Sequence, residues 1–129
     1  DREHRPARLS SMTPEEYLAG HPLAQAVFLR IKAVLEGLGP VEVRASKCQI
    51  AFRRRRGFAY LWMPGQYLSR PQAEQVLSIA LGRHVESERF KEVAHPSAKH
   101  WMHHLEITDV EQIDSEVVDW LAEAADRAT

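Results

Sequence analysis

Residues 43–62 carry the pattern that most restricts the fold of this chain. Two runs of alternating apolar and polar residues flank four consecutive arginines and Gly57. Alternation with a period of two predicts β-strands with one apolar face, and glycine can adopt the positive φ of a tight turn. We therefore predict a β-hairpin whose apolar face packs on a core and whose polar face stays accessible.

The polar face of this hairpin collects residues that are suited to bind an anion. Lys47 and Arg53 supply positive charge, Gln49 supplies hydrogen bonds, and Arg44 belongs to the same predicted face. Side chains two positions apart on a strand point to the same side. We expect these residues to share a face with Ala51, whose small side chain leaves space for a ligand.

The run from Arg53 to Arg56 is a second basic feature, at the predicted tip of the hairpin. It is suited to clamp phosphates, but arginines at hairpin tips also serve as solvated surface. The net charge of −1 gives no global attraction to nucleic acid, and the acidic residues crowd positions 109–126. Because ordering long side chains in a mobile turn is costly, we expect an anion at Lys47 and Arg53 rather than at the tip.

Residues 101–107 alternate in the same way and place His103 and His104 on opposite faces of a strand. His103 falls in the apolar register, which predicts a hydrogen-bonded core histidine. His104 shares a face with Met102 and Glu106, so it is either a surface histidine or a general base. Histidines that point apart do not readily bind one metal ion, and we predict neither a structural metal nor a cofactor.

Helix signals stand at both ends of the chain. Thr13 and Glu16 form a capping box, Pro22 can open a second helix, and Asp114 can cap a final one. The last two helices carry apolar stripes with helical spacing. The stripe residues are Ala24, Val27, Phe28, Ile31, Leu35 and Leu38 in the second helix, and Val117, Trp120, Leu121 and Ala124 in the last.

Further strands are predicted at residues 76–81, 89–94 and 101–108, with a turn at residues 95–97. Helices, then strands, then a helix predict an α+β domain: N-terminal helices, an antiparallel sheet of four to six strands and a C-terminal helix. We assign residues 12–129 to this single domain and expect residues 1–11 to form a disordered tail.

Cys48 is the only cysteine, which excludes an internal disulfide and favours a reducing cytoplasm. Its register with Ile50 and Phe52 predicts a buried position. No apolar run is long enough to span a bilayer, so a membrane partner is not expected. Nothing in the sequence determines the oligomeric state.

Several segments resemble bacterial proteins classified as domain of unknown function 5655. The resemblance rests on Ser46-Lys47-x-Gln49-Ile50-x-Phe52, on residues 89–93, on Trp101-x-His103-His104 and on the stripe around Trp120. It extends from about Tyr17 to the C-terminus and implies a small bacterial α+β domain. No established activity follows from it.

The leading hypothesis is a binding module whose sheet face holds an anionic small molecule, a nucleic acid or an acidic peptide. Its predicted site residues are Arg44, Lys47, Gln49, Arg53 and His104. One alternative is a small enzyme that uses His104 as general base beside Lys47. Another is a protein-interaction domain without a small ligand. The shape of this face distinguishes them, because a small ligand needs a groove and a protein partner does not.

Overall fold

A computed structural model describes residues 12–66 and 73–129. Two helices, α1 (Pro14–Leu18) and α2 (Pro22–Leu38), precede the strands, and α3 (Ser115–Arg127) follows them. The strands are β1 (Glu42–Ala45), β2 (Ile50–Arg53), β3 (Gly57–Trp62), β4 (Gln75–Leu81), β5 (Phe90–Ser97) and β6 (His100–Ile107). Short 3₁₀ turns occupy Pro64–Gln66 and Val110–Gln112.

The six strands form one antiparallel sheet in the order β1-β2-β3-β4-β6-β5. The last hairpin is inverted: β6 pairs with the central strand β4, and β5 forms the outer edge. This is the predicted α+β architecture with N-terminal helices, a C-terminal helix and the largest strand number in the predicted range. Residues 1–11, which we predicted to be a tail, lie outside the described residues.

The helices cover one face of the sheet, and the core lies between them. Val27, Ile31 and Leu35 of α2 are buried against this face, together with Trp120 and Leu121 of α3. Each stripe follows the helical period, so its apolar side chains reach the sheet while the polar ones remain outside. Both predicted stripes are confirmed except at Leu38, which is 45% exposed at the end of α2.

The predicted caps explain where two helices begin. Thr13 accepts a hydrogen bond from the Glu16 amide, and the Glu16 carboxylate accepts one from the Thr13 amide. Asp114 likewise accepts from the Val117 amide at the start of α3. Each cap satisfies amide groups that the first helical turn leaves without carbonyl partners.

Three local predictions need correction. Cys48 is exposed, because residues 46–49 form a turn held by the Ser46 amide and the Gln49 carbonyl, 2.9 Å apart, and the strand starts only at Ile50. The predicted turn at residues 95–97 belongs to β5, which continues to Ser97. Gly57 does not provide a positive φ; among the described glycines, only Gly20 and Gly39 have one.

Gly57 is instead required by a neighbouring side chain. A Cβ atom at this position would lie 2.2 Å from the hydroxyl oxygen of Tyr60 and 2.9 Å from its Cζ atom. Such contacts are far inside van der Waals distance, so any larger residue would displace the phenol ring. The absence of a side chain at Gly57 therefore lets Tyr60 extend along β3 toward the hairpin tip.

Candidate functional site

The sheet face opposite the helices is formed by the residues that alternate with the core positions, and we call it the open face. One row of paired residues crosses it from edge to edge. The row runs Arg44, Ala51, Tyr60, Ser78, His104 and Glu92. It places the predicted residues Arg44 and His104 on the same face, as the alternation predicted, but several strands apart.

A shallow groove of about 360 Å³ lies near the centre of the open face. Its described lining consists of Gln49, Tyr60, Trp62, Ser78, Met102 and His104. These side chains combine two aromatic rings, a thioether and several neutral polar groups. Such a surface is suited to a flat polar ring more than to a compact ion.

A chain of hydrogen bonds fixes the back of this groove. The Trp62 indole Nε1–H donates to Ser78 Oγ at 2.8 Å, and Ser78 Oγ lies 2.7 Å from His104 Nδ1. The Ser78 oxygen accepts from the indole and still has one proton and one lone pair, so it can donate to Nδ1 or accept from it. In either case the bond occupies Nδ1 and holds the imidazole ring in place.

Burial reinforces the neutral form of His104. Desolvation lowers the pKa of this side chain, and the opposing charge of Glu92 raises it by a smaller amount. The Trp62 ring stands perpendicular to the imidazole, with the ring centres 6.3 Å apart. His104 therefore offers the groove a neutral imidazole in a fixed orientation, with Nε2 as the nitrogen that does not bond to Ser78.

His103 has the structural role that its register predicted. Its side chain is fully buried, its Nε2 accepts from the Val85 amide at 3.0 Å, and its Nδ1 lies 3.2 Å from the Trp101 carbonyl oxygen. The carbonyl can only accept, so the proton resides on Nδ1. Desolvation is the main cause that lowers the pKa of His103. Both ring nitrogens are occupied, and none is available for a ligand.

Arg44 and Arg53 lie at the β1–β2 edge of the open face and share Glu42. Arg44 Nη2 is 2.8 Å from one carboxylate oxygen, and Arg53 Nε is 3.9 Å from the other. The hydrogen bond from Arg44 is the largest cause that lowers the pKa of Glu42. The Arg53 Nε–H is buried and has no acceptor within hydrogen-bonding distance.

The structure separates Lys47 from the other predicted site residues. It lines a different cleft, of about 510 Å³, beside the β1–β2 turn. The other described residues of that cleft are Met12, Tyr17, His21, Met63, Gly65 and Glu74. Lys47 and His104 thus face different spaces, and the pair that the enzyme hypothesis requires is not brought together.

The arginines at the hairpin tip bind the ends of helices. Arg54 donates to the carbonyls of Leu38 and Pro40 after α2, and to the Ala125 carbonyl in α3, at 3.1–3.2 Å. Arg56 donates to the Arg127 carbonyl at 3.1 Å. Carbonyls at a helix C-terminus carry partial negative charge, which a guanidinium neutralises. Two of the four arginines are therefore structural.

The family follows from the whole chain rather than from the groove. Residues 15–127 match the family model described as Domain of unknown function (DUF5655). The chain belongs to this family. The resemblance identified from residues 46–52 and from the two histidines is confirmed. No curated protein and no solved structure matches the chain.

The described part of this DUF5655 domain has neither a cluster of metal-ligating side chains nor a helix that could span a membrane. Over residues 12–66 and 73–129, no three His, Cys, Asp or Glu side chains come together as a metal site would require. Within the same ranges, no helix has the length and apolar character needed to cross a bilayer. The absence of a structural metal remains a prediction, which elemental analysis of the purified protein would test.

Sequence reasoning missed the partners that define the groove. Ser78 was predicted within a strand, but its pairing with His104 depends on β6 inserting between β4 and β5. Tyr60 and Trp62 are two positions apart in β3, so strand alternation alone could have placed them on the same face. Glu42 was also overlooked, although it lies two positions from Arg44 and therefore on the same side of β1.

Proposed function

We propose that this DUF5655 domain is a binding module whose open face holds an extended ligand with negative charge at one end. The observation that carries the proposal is the buried Arg53 Nε–H without a hydrogen-bond acceptor. A buried donor that is left unsatisfied costs about 1–3 kcal/mol. The Arg53 side chain as a whole is 28% exposed, so an anionic oxygen can approach its guanidinium from solvent, and a small shift of that group would let the oxygen accept from Nε–H.

The spacing across the sheet determines the size of the ligand. Arg44 and His104 are separated by four inter-strand steps, which corresponds to about 19 Å between their backbones. A single phosphate or carboxylate cannot touch both ends. A ligand that uses the whole row must therefore be a chain, or a molecule with well-separated charged and neutral parts.

The two ends of the row recognise different chemistry. The edge with Arg44 and Arg53 attracts negative charge. The groove offers the neutral imidazole of His104, with the acidic side chain of Glu92 opposite this residue in the sheet. We therefore assign the charged part of the ligand to the arginine edge and an uncharged polar part to the groove.

Glu42 limits the expected affinity. It neutralises part of the charge of both arginines, and the chain as a whole carries a net charge of −1. Binding then depends on local contacts rather than on long-range attraction. Neutralising about two phosphates of a single strand gives a slope of about −1.4 for log K against log salt concentration.

The proposal is tested by titrating wild-type protein with oligonucleotides, mononucleotides and polyglutamate at two salt concentrations. The test variant is Arg44→Ala/Arg53→Ala. The matched control is Lys32→Ala/Arg55→Ala, which removes the same charge from α2 and from the hairpin tip. We expect the test variant to lose at least about tenfold in affinity for the extended anions, and the control to lose little.

Equal losses in the two variants would show that binding follows net charge and would contradict the proposed site. An absence of binding to every anion would contradict the proposed function. In that case the protein-interaction hypothesis would take its place, and the open face would be the surface to test against protein partners.

A further inference from the structure

We infer that the extended ligand is a single-stranded nucleic acid and that one of its bases enters the groove lined by Trp62 and His104. This inference rests on the proposed function and names the ligand class for the same site. It is carried by the aromatic side chains that connect the arginine edge to the groove, and by the hydrogen-bonding groups at the end of that path.

The aromatic path consists of Tyr60 and Trp62 on β3. The hydroxyl end of Tyr60 lies over Gly57, which pairs with Arg53 at the arginine edge. Trp62 lies at the other end of the same strand, held by its hydrogen bond to Ser78. Both side chains are partly exposed. Partly exposed rings beside cations are the combination with which proteins bind single strands without base pairing.

The groove can form hydrogen bonds with the edge of a base. His104 presents its neutral imidazole, with Nδ1 occupied by Ser78 and Nε2 on the other side of the ring, and the Gln49 side chain offers both a donor and an acceptor. The Trp62–Ser78–His104 hydrogen bonds hold the imidazole in one orientation, so the ring needs no rearrangement on binding. Every base carries both donors and acceptors on its edges for such groups.

Charge favours a nucleic acid over an acidic peptide. In a peptide of glutamates, the charges recur along the whole chain, and those near the groove would meet Glu92 across from His104. In a nucleic acid, the phosphates also recur along the strand, but the sugar separates each one from its neutral base, and the base can lie near Glu92 while its phosphate points away. The phosphates of neighbouring nucleotides can then lie near Arg44 and Arg53, at the other end of the row. A peptide of glutamates has no neutral unit of this kind for the groove.

The decisive comparison uses two oligonucleotides with the same number of phosphates and different bases. Wild-type protein is titrated with a labelled oligothymidine of eight or more residues and with an abasic strand of equal length. Stacking of one base by an aromatic side chain corresponds to roughly tenfold or more in affinity. We expect the abasic strand to bind at least about tenfold more weakly, and Trp62→Leu to remove that difference.

Two further arms keep the outcome decisive if Trp62→Leu fails to fold. The abasic comparison uses only wild-type protein, and Tyr60→Leu tests the other ring of the path. Circular dichroism verifies the fold of each variant.

The outcomes separate this inference from the proposed function. Equal binding of abasic and normal strands would overturn the placement of a base in the groove, while the anion site at Arg44 and Arg53 would stand. Binding of polyglutamate without binding of any oligonucleotide would overturn the nucleic-acid assignment alone. If neither polymer binds, both proposals fail.

Discussion

His103 and His104 are adjacent in the chain and lie on opposite faces of β6. On the helix-covered face, His103 has both nitrogens bonded to backbone groups and is fully buried. On the open face, His104 has one nitrogen bonded to Ser78, and the other is directed away from that bond. The same residue type thus completes the core on one side and lines the groove on the other.

Among these variants, we expect the two tryptophans to show the largest difference in the free energy of unfolding between the two faces. Trp120 is 7% exposed and packs on Phe90, with ring centres 4.6 Å apart, beneath Arg89. We expect Trp120→Ala to lower the free energy of unfolding by about 3–5 kcal/mol, because it leaves a large cavity. Trp62→Ala should cost under about 2 kcal/mol, since its ring is partly solvated. Urea denaturation of both variants measures the difference; comparable losses would mean that the open face is covered in solution.

We expect the next largest difference in the free energy of unfolding between variants of the two histidines. His103→Ala leaves a cavity beside Phe90 and an unpaired Val85 amide, so we expect a loss of about 2–4 kcal/mol in the free energy of unfolding. His104→Ala removes one hydrogen bond at a partly exposed site and should cost about 1 kcal/mol. Chemical denaturation decides this, and the reverse order would contradict the assigned faces.

The hairpin tip provides a smaller contrast on the covered side. Arg54→Ala removes guanidinium donors from carbonyls of α2 and α3, and we expect it to cost about 1–2 kcal/mol. Arg55→Ala should change the free energy of unfolding by less than about 0.5 kcal/mol, since its side chain is exposed. Thermal denaturation of the pair provides the measurement. If Arg55→Ala proved the more harmful change, the assignment of Arg54 as the structural arginine would be wrong.

Acid should weaken the domain through both faces. Burial lowers the pKa of His103 and of His104 below the unfolded value of about 6.5. At a pH between the folded and the unfolded pKa values, the unfolded chain binds protons that the folded chain does not. The free energy of unfolding that these histidines contribute is therefore fully present above about pH 6.5 and declines as pH falls below that value. We expect denaturation midpoints to fall between pH 7 and pH 5, and to fall less in His104→Gln. An identical pH dependence in this variant would mean that His104 titrates normally.

Much of the fold could be predicted because its signals are local. Capping at Thr13 and Asp114, the helical stripes and the alternation in β6 all depend on residues within a few positions of one another. The errors arose where side-chain packing or the position of a strand in the sheet decides the outcome, because alternation reports neither. Gly57 is necessary because Tyr60 lies over it, and β5 runs through Pro96 because an edge strand tolerates a missing amide donor.

The candidate site was predictable only in part. Alternation placed Arg44, Arg53 and His104 on one face, but it extended the strand through Lys47, where the chain turns. The hydrogen bond between Ser78 and His104 depends on the order of the strands, which alternation does not encode. Likewise, the Ala125 acceptor of Arg54 lies on a helix that is far from it in sequence.

The contacts of Arg54 imply an order of assembly during synthesis. Its acceptors at Leu38 and Pro40 precede it by only 16 and 14 residues, whereas the Ala125 carbonyl follows it by 71. As the nascent chain leaves the ribosome, the end of α2 can dock on the hairpin early, while α3 arrives last. Contacts over such long separations form slowly, and the β3–β4 surface stays exposed until α3 closes over it. The newly made chain is therefore most in need of protection from aggregation just before α3 emerges.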